Sequence, residues 1–139
     1  MKDKNETERA RVLIADDHPR VLSEMETLLS SEFDVVGKAA DGLSMVTEAA
    51  RLRPDVIVSD ISMPGLSGID ASREILREHP ETVIVLLTAY NDPQLVKTAL
   101  HIGIRGYVHK LKAGDELVPA IHGALDGRAF VSSTCKPER

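Results

Sequence analysis

Five short apolar runs punctuate the chain: Val12–Ala15, Val35–Ala39, Val56–Val58, Val83–Leu87, and Tyr107–Val108 with its flanks. Several are continuous rather than alternating, the pattern of strands buried on both faces of a parallel sheet. Between them, apolar residues recur at helical spacing. Val21, Leu22, Met25, Leu28 and Leu29 form one stripe, entered by Pro19, which suits a first turn because its missing N–H has no intrahelical partner there. Leu43, Val46, Ala49 and Ala50 form a second, closed before Pro54, and Ile69, Ile75 and Leu76 a third, which stops before Pro80. The fourth opens with Asp92 as N-cap and Pro93 in the first position, carries Val96, Ala99 and Leu100, and ends at Gly103. The fifth carries Leu117, Ile121, Ala124 and Leu125 and ends at Gly127, with Pro119 tolerable only if the helix begins close to it. Five strands alternating with five helices predict a parallel sheet covered on both faces, because each parallel connection needs a right-handed crossover. The expected fold is a three-layer, doubly wound α/β domain over residues 11–127. A charged tail is expected at 1–10, and a C-terminal tail or the start of a linker at 128–139.

Composition narrows the partners. At 139 residues the chain reads as one domain, long enough to bury a sizeable core. Aromatic residues make up only 3%, so that core is built from Val, Ile, Leu, Ala and Met. A formal net charge of −5 argues against this segment holding nucleic acid by itself, an interaction dominated by basic surface. Cys135 is the single cysteine, which excludes an intramolecular disulfide. No apolar run approaches the roughly 20 residues that span a bilayer. Met1–Arg11 is charged and lacks a signal-peptide apolar region, so a cytoplasmic protein with no membrane partner is expected.

The acidic residues change the picture most. Asp16 and Asp17 directly follow the first run, and Asp60 follows the third. In an open α/β sheet, ligands bind outside the carboxyl ends of the strands, where strand order reverses. With strands one and three adjacent across that point, three carboxylates converge, and their mutual repulsion asks for a compensating charge. A hard cation such as Mg²⁺, which takes oxygen ligands from one or two carboxylates plus waters and phosphate, supplies it. Thr88 ends the fourth run with a hydroxyl, and Lys110 ends the fifth with an ammonium. A carboxylate ringed by a metal, a hydroxyl and an ammonium is suited to phosphoryl transfer, whose catalysis is mainly positioning and charge stabilisation.

The segments Leu13-Ile14-Ala15-Asp16-Asp17-His18, Asp55 to Gly68 (DVIVSDISMPGLSG), Leu86-Leu87-Thr88-Ala89 and Gly106-Tyr107-Val108-His109-Lys110 together resemble the signature of response regulator receiver domains, in order and each at a strand end. The likeness covers about residues 11–127. It is greatest to the branch whose receivers precede a LuxR-type helix-turn-helix DNA-binding domain, as the Asp-Asp-His-Pro start and the Gly127–Ser132 ending suggest. The resemblance implies a flavodoxin-like five-stranded sheet of order 2-1-3-4-5. It implies Asp60 as the acceptor of a phosphoryl group from a sensor histidine kinase. Asp17, Asp60 and the backbone carbonyl of Ser62 would then bind Mg²⁺, with Asp16 assisting through water. Lys110 would pair with the phosphoryl oxygens, Thr88 would hydrogen-bond one of them, and Tyr107 would track the Thr88 movement. The fourth helix, fifth strand and fifth helix are marked as a homodimer or output-domain face, and the implied output is transcription, from a self-phosphorylating and self-dephosphorylating switch rather than a turnover enzyme. Leu111 stands where many receivers have a proline in a cis bond after the lysine, which puts the backbone at Lys110 in question.

Taken singly, these residues have plainer readings. Asp16 and Asp17 would be helix-capping carboxylates, Thr88 a cap before the fourth helix, Lys110 a solvated charge, and Tyr107 a strand residue with its hydroxyl at the surface. His18 reads as a loop residue on the pocket rim rather than a metal ligand, and Ser59 as a buried strand position. Met63-Pro64-Gly65 and Gly68 read as backbone devices shaping the turn after Asp60. Two rival functions differ in kind. A Mg²⁺-dependent aspartyl-phosphate phosphatase would want a carboxylate where Ser62 stands. A degenerate receiver that binds partners without phosphorylation would be expected to lack Asp17, Asp60 or Lys110. The tail ending in Cys135-Lys136-Pro137-Glu138-Arg139 suits a linker into a further domain.

Overall fold

A computed structural model describes residues 9–132. The strands are β1 (Arg11–Ala15), β2 (Asp34–Ala39), β3 (Val56–Ser59), β4 (Val83–Thr88), β5 (Gly106–His109) and β6 (Phe130–Val131). The helices are α1 (Pro19–Leu29), α2 (Gly42–Leu52), α3 (Gly68–Glu78), α4 (Pro93–His101) and α5 (Ala113–Leu125), with a 3₁₀ turn at Lys110–Lys112. The sheet runs β2-β1-β3-β4-β5-β6, with every neighbouring pair parallel. The expected order of the first five strands is therefore observed, and a sixth strand is added at the edge.

Strand side chains alternate between two cores. Leu13, Ala15, Ile57, Ile84, Leu86 and Tyr107 face α2, α3 and α4 through Met45, Ala49, Ile69, Ile75, Val96 and Ala99. Val12, Ile14, Val56, Val58, Val85, Leu87 and Val108 face α1 and α5 through Met25, Leu29, Leu117, Ala120 and Ile121. Each fully buried Leu or Ile contributes about 2 kcal/mol in this arrangement, and burial on both faces explains the continuous apolar runs.

Local chemistry sets the helix ends. Asp92 Oδ1 accepts the Gln94 N–H at 2.9 Å, with Pro93 at the start of α4, and Gly103 just past its end takes φ 101°. Asp41 caps α2, accepting the Ser44 N–H at 2.7 Å, which holds its carboxyl below the usual aspartate range. Three expectations need correcting. Leu43 and Ala50 lie on the exposed side of α2, whose buried stripe is Gly42, Met45 and Ala49, because the face that meets the sheet is set one residue earlier than the expected stripe. Pro119 sits well inside α5, not near its start. Its ring is on the exposed side, where water can serve the carbonyl left without its N–H partner. Residues 128–132, expected as the start of a tail, carry β6 instead, with Phe130 and Val131 pairing against Gly106 and Tyr107. The remainder of both expected tails, 1–8 and 133–139, lies outside the described residues.

Candidate functional site

The carboxyl ends of β1, β3, β4 and β5 form one rim. Asp16 follows β1 and is fully buried, and Asp60 follows β3 with 5% of its surface exposed. Their backbones are joined where the ladder ends, the Asp60 N–H donating to the Ala15 carbonyl at 3.0 Å. Lys110 follows β5 and reaches across to both, its Nζ 3.2 Å from Asp60 Oδ2 and 3.1 Å from Asp16 Oδ2. Asp17 is partly exposed. The three carboxylates and His18 each offer one ligand atom, and these atoms lie within 4.8 Å of one another.

Burial pushes the Asp60 carboxyl above the ordinary aspartate range; the Lys110 ammonium opposes this and the Asp16 carboxylate adds to it. Burial also works against the charged form of Lys110. The close approach of the Asp16 carboxylate and the fields of Asp60 and Asp16 outweigh that penalty, so its pKa is raised and the ammonium is held between the two carboxylates. Asp60 Oδ1 accepts the Ile61 N–H at 2.7 Å, which orients the carboxylate with Oδ2 towards Lys110. Asp16 Oδ2 and Asp17 Oδ1 are buried without an aligned hydrogen-bond donor, although Lys110 Nζ and His18 Nδ1 stand at ion-pair distance from them. Buried carboxylate oxygens in that condition suit a hard cation, and the pocket of Asp16, Asp17 and Asp60 can hold a metal ion.

The turn after Asp60 is shaped by glycine. Gly65 takes φ 74°, and a Cβ at Gly68 would lie 1.9 Å from the Asp60 carbonyl oxygen. The chain thus folds back directly on the carboxylate, closed by the Gly68 N–H to the Ile61 carbonyl at 2.8 Å. Ser59, buried as expected, donates from Oγ to the Asp60 carbonyl at 2.8 Å.

The plainer readings of single residues give way. The N-cap of α1 is His18, without a side-chain cap, and α4 is capped by Asp92 rather than Thr88. Thr88 is fully buried, its Oγ1 accepting the Tyr90 N–H at 3.0 Å. Tyr107 is fully buried in the core under α4. Ser62 lies exposed beside the pocket, donating from Oγ to Tyr90 Oη at 3.2 Å. The Lys110–Leu111 bond is trans, and the lysine still reaches Asp60. The sequence places His18 on the pocket rim as a loop residue, and in the structure its Nδ1 lies 3.0 Å from both Asp16 Oδ1 and Asp17 Oδ1. A histidine directly after two acids was the available signal.

Comparisons with known proteins agree with this architecture. The response regulator receiver domain family matches residues 12–122, and the chain belongs to that family. It is the receiver domain of a two-component response regulator. The uncharacterized transcriptional regulatory protein YxjL of Bacillus subtilis (strain 168) is 36% identical over 125 residues, covering 88% of this chain and 57% of that protein. A two-component response regulator of the LuxR family from Aurantimonas sp. SI85-9A1 superposes with a TM-score of 0.88 at 32% identity, covering 91% of this chain and 92% of that one. The isolated REC domain of RcsB from Salmonella enterica serovar Typhimurium, solved with phosphomimetic BeF3-, gives a TM-score of 0.84 at 31% identity over 91% of this chain and 96% of that one. The chain spans under three fifths of the curated relatives it matches, at 57% and 58% for two of them. No helix among the described residues is long and apolar enough to cross a membrane.

Proposed function

We propose that Asp60 accepts a phosphoryl group from a phosphohistidine on a sensor histidine kinase, and that the modified pocket switches the surface of α4, β5 and α5 to control transcription. The observation that carries this reading is the 3.2 Å pairing of Lys110 Nζ with Asp60 Oδ2 in a pocket shared with Asp16 and Asp17. The donor set is all oxygen apart from His18 and fits Mg²⁺. Asp17, Asp60 and the backbone carbonyl of Ser62 would hold the ion, with Asp16 acting through water. When bound, Mg²⁺ supplies positive charge that offsets the carboxylates and the phosphoryl oxygens.

The residues divide the work. An Asp60 oxygen forms the new P–O bond as the P–N bond to the donor imidazole breaks and its electron pair returns to the ring. Lys110 neutralises charge on the phosphoryl oxygens. Thr88 exchanges its present bond with the Tyr90 N–H for one to the phosphoryl group, and Tyr107, packed under α4, follows as the second element of a two-state switch. With one acceptor per chain the domain is a stoichiometric switch, not a turnover enzyme. Likeness to a receiver solved with a phosphomimetic supports the same pocket. The receiver unit spans 11–127 with β6 appended, acts in the cytoplasm, and offers the α4-β5-α5 face to a second copy or an output domain. It binds nucleic acid only through such a domain.

The test is intact-mass analysis after incubation with acetyl phosphate and Mg²⁺. Wild type gains one alkali-labile phosphoryl group, and Asp60→Asn and chelated wild type gain none. Lys110→Ala is labelled about 10²–10³ times more slowly. Label in Asp60→Asn at Asp16, Asp17 or a hydroxyl would overturn the assignment, and no label in wild type would favour a phosphorylation-independent module.

A further inference from the structure

Ser132 is fully buried at the end of β6 and bonds in three directions. Its N–H donates to the Tyr107 carbonyl at 2.9 Å, and its Oγ accepts the His109 N–H at 3.0 Å. Its hydroxyl donates to Glu116 Oε1 near the start of α5. The β5–β6 ladder has two paired positions, Gly106 with Phe130 and Tyr107 with Val131. The serine hydroxyl then takes the β5 N–H that a further ladder residue would otherwise have served. His109 in turn caps the 3₁₀ turn that carries the lysine, its Nδ1 accepting the Leu111 N–H at 3.1 Å. Lys110 therefore leaves β5 between a backbone clamp made by Ser132 and a side-chain cap made by His109.

We propose that Ser132 is a positioning residue for Lys110, so that docking of β6 against β5 and phosphoryl acceptance at Asp60 are energetically coupled. The proposal rests on the role assigned to Lys110 above. An ammonium that must meet both Asp60 and the incoming group tolerates little displacement; a shift of about 1 Å in a positioned group costs up to about 10² in rate. Coupling of two equilibria is reciprocal, so to the extent that β6 docking favours the phosphorylated pocket at equilibrium, a phosphoryl group that draws on Lys110 alters the docking of β6 in turn. The strand that takes this load is the one from which the chain runs on to residue 133. A serine acting merely as a strand-end cap would contribute stability and leave the chemistry alone.

The two readings separate in the full chain with Ser132→Ala and Ser132→Thr. At saturating acetyl phosphate and Mg²⁺, Ser132→Ala is labelled about tenfold more slowly with the donor KM unchanged. In NMR, its His109 amide exchanges about tenfold faster, the Lys110 signals shift, and Ser132→Thr restores both rate and spectrum. Beryllofluoride added to wild type moves the amides of Phe130, Val131 and Ser132. Glu116→Ala, which removes the acceptor orienting the hydroxyl, shows a smaller loss of the same kind and decides the matter if Ser132→Ala does not fold. A folded Ser132→Ala with wild-type rate and wild-type Lys110 signals overturns the proposal, as does an unaffected Glu116→Ala where only that variant folds. If wild type takes no label, the Asp60 reading fails on its own, and the coupling is judged by the His109 exchange and Lys110 shifts alone.

Discussion

Leu13 and Ile57 are register partners in β1 and β3, and one step beyond the end of the same ladder stand Asp16 and Asp60. Both pairs are buried. The first pair removes apolar surface from water and stabilises the fold. The second brings two carboxylates together in the same shelter, and the Lys110 ammonium between them offsets only part of the cost, since Asp60 remains harder to ionise than an ordinary aspartate. Two neighbouring strands thus serve stability along their length and chemistry at their tips. The shift from one to the other takes three positions, because β-strand geometry ends where the chain must turn into a loop.

Substitutions along these strands should therefore change sign on crossing the tip. Ile57→Ala, inside the ladder, removes buried methyl groups from a packed core and is expected to cost about 2–5 kcal/mol in urea denaturation. A neutral result would mean that the two regions are not energetically distinct. Gly68→Ala tests the boundary, because its Cβ would press on the Asp60 carbonyl oxygen. It should cost about 1–3 kcal/mol and slow phosphorylation as well, since the carboxylate is displaced with its backbone.

Asp60→Asn should have the opposite effect, stabilising the metal-free protein by about 0.5–2 kcal/mol while abolishing labelling. Lys110 keeps Asp16 as partner in that variant, so no cation is stranded. The sign follows from the raised pKa of Asp60 in the fold. The stability it contributes is full below the unfolded-state value of about 3.9 and is lost as pH rises through the folded value. The advantage of Asp60→Asn should thus vanish in acid and emerge as pH rises, and a thermal-melt series that shows it growing towards low pH would contradict the assignment. The smallest effect belongs to the other end of β3. There Arg53 closes α2 with φ 50°, a left-handed conformation costly for a residue with a Cβ. Relieving it by Arg53→Gly should gain about 0.5 kcal/mol with unchanged labelling, which would show that this strain serves no chemistry.

Most of this was written in the one-dimensional pattern. Runs such as Val12–Ala15 and Val83–Leu87 announce strands covered on both sides, and charged or hydroxyl residues directly after such runs announce the rim. What the pattern could not hold is tertiary. Phe130 and Val131 make a strand of two residues, too short for any period to show, and Ser132 is buried only because β5 and α5 meet there. Leu43 falls on the exposed side of its helix although the pattern places it in the stripe, because a phase difference of one residue swings a side chain by about 100°. The contacts of His18 depend on how the loop after β1 turns, which spacing does not encode.

The position of β1 has a consequence for how the molecule comes into being. Although the first of the described strands, it lies between β2 and β3 and pairs with both. Its partner residues in β3 are 44 positions away, Val12 with Val56 and Leu13 with Ile57. During synthesis β1 must therefore wait, apolar and unpaired on one side, until the whole stretch through β3 has emerged and its loop-closure entropy has been met. The carboxylates at the strand tips meet only when that long-range pairing is made. The acidic pocket thus cannot form before that pairing, and a chain stalled before β3 presents a sticky strand and no site at all.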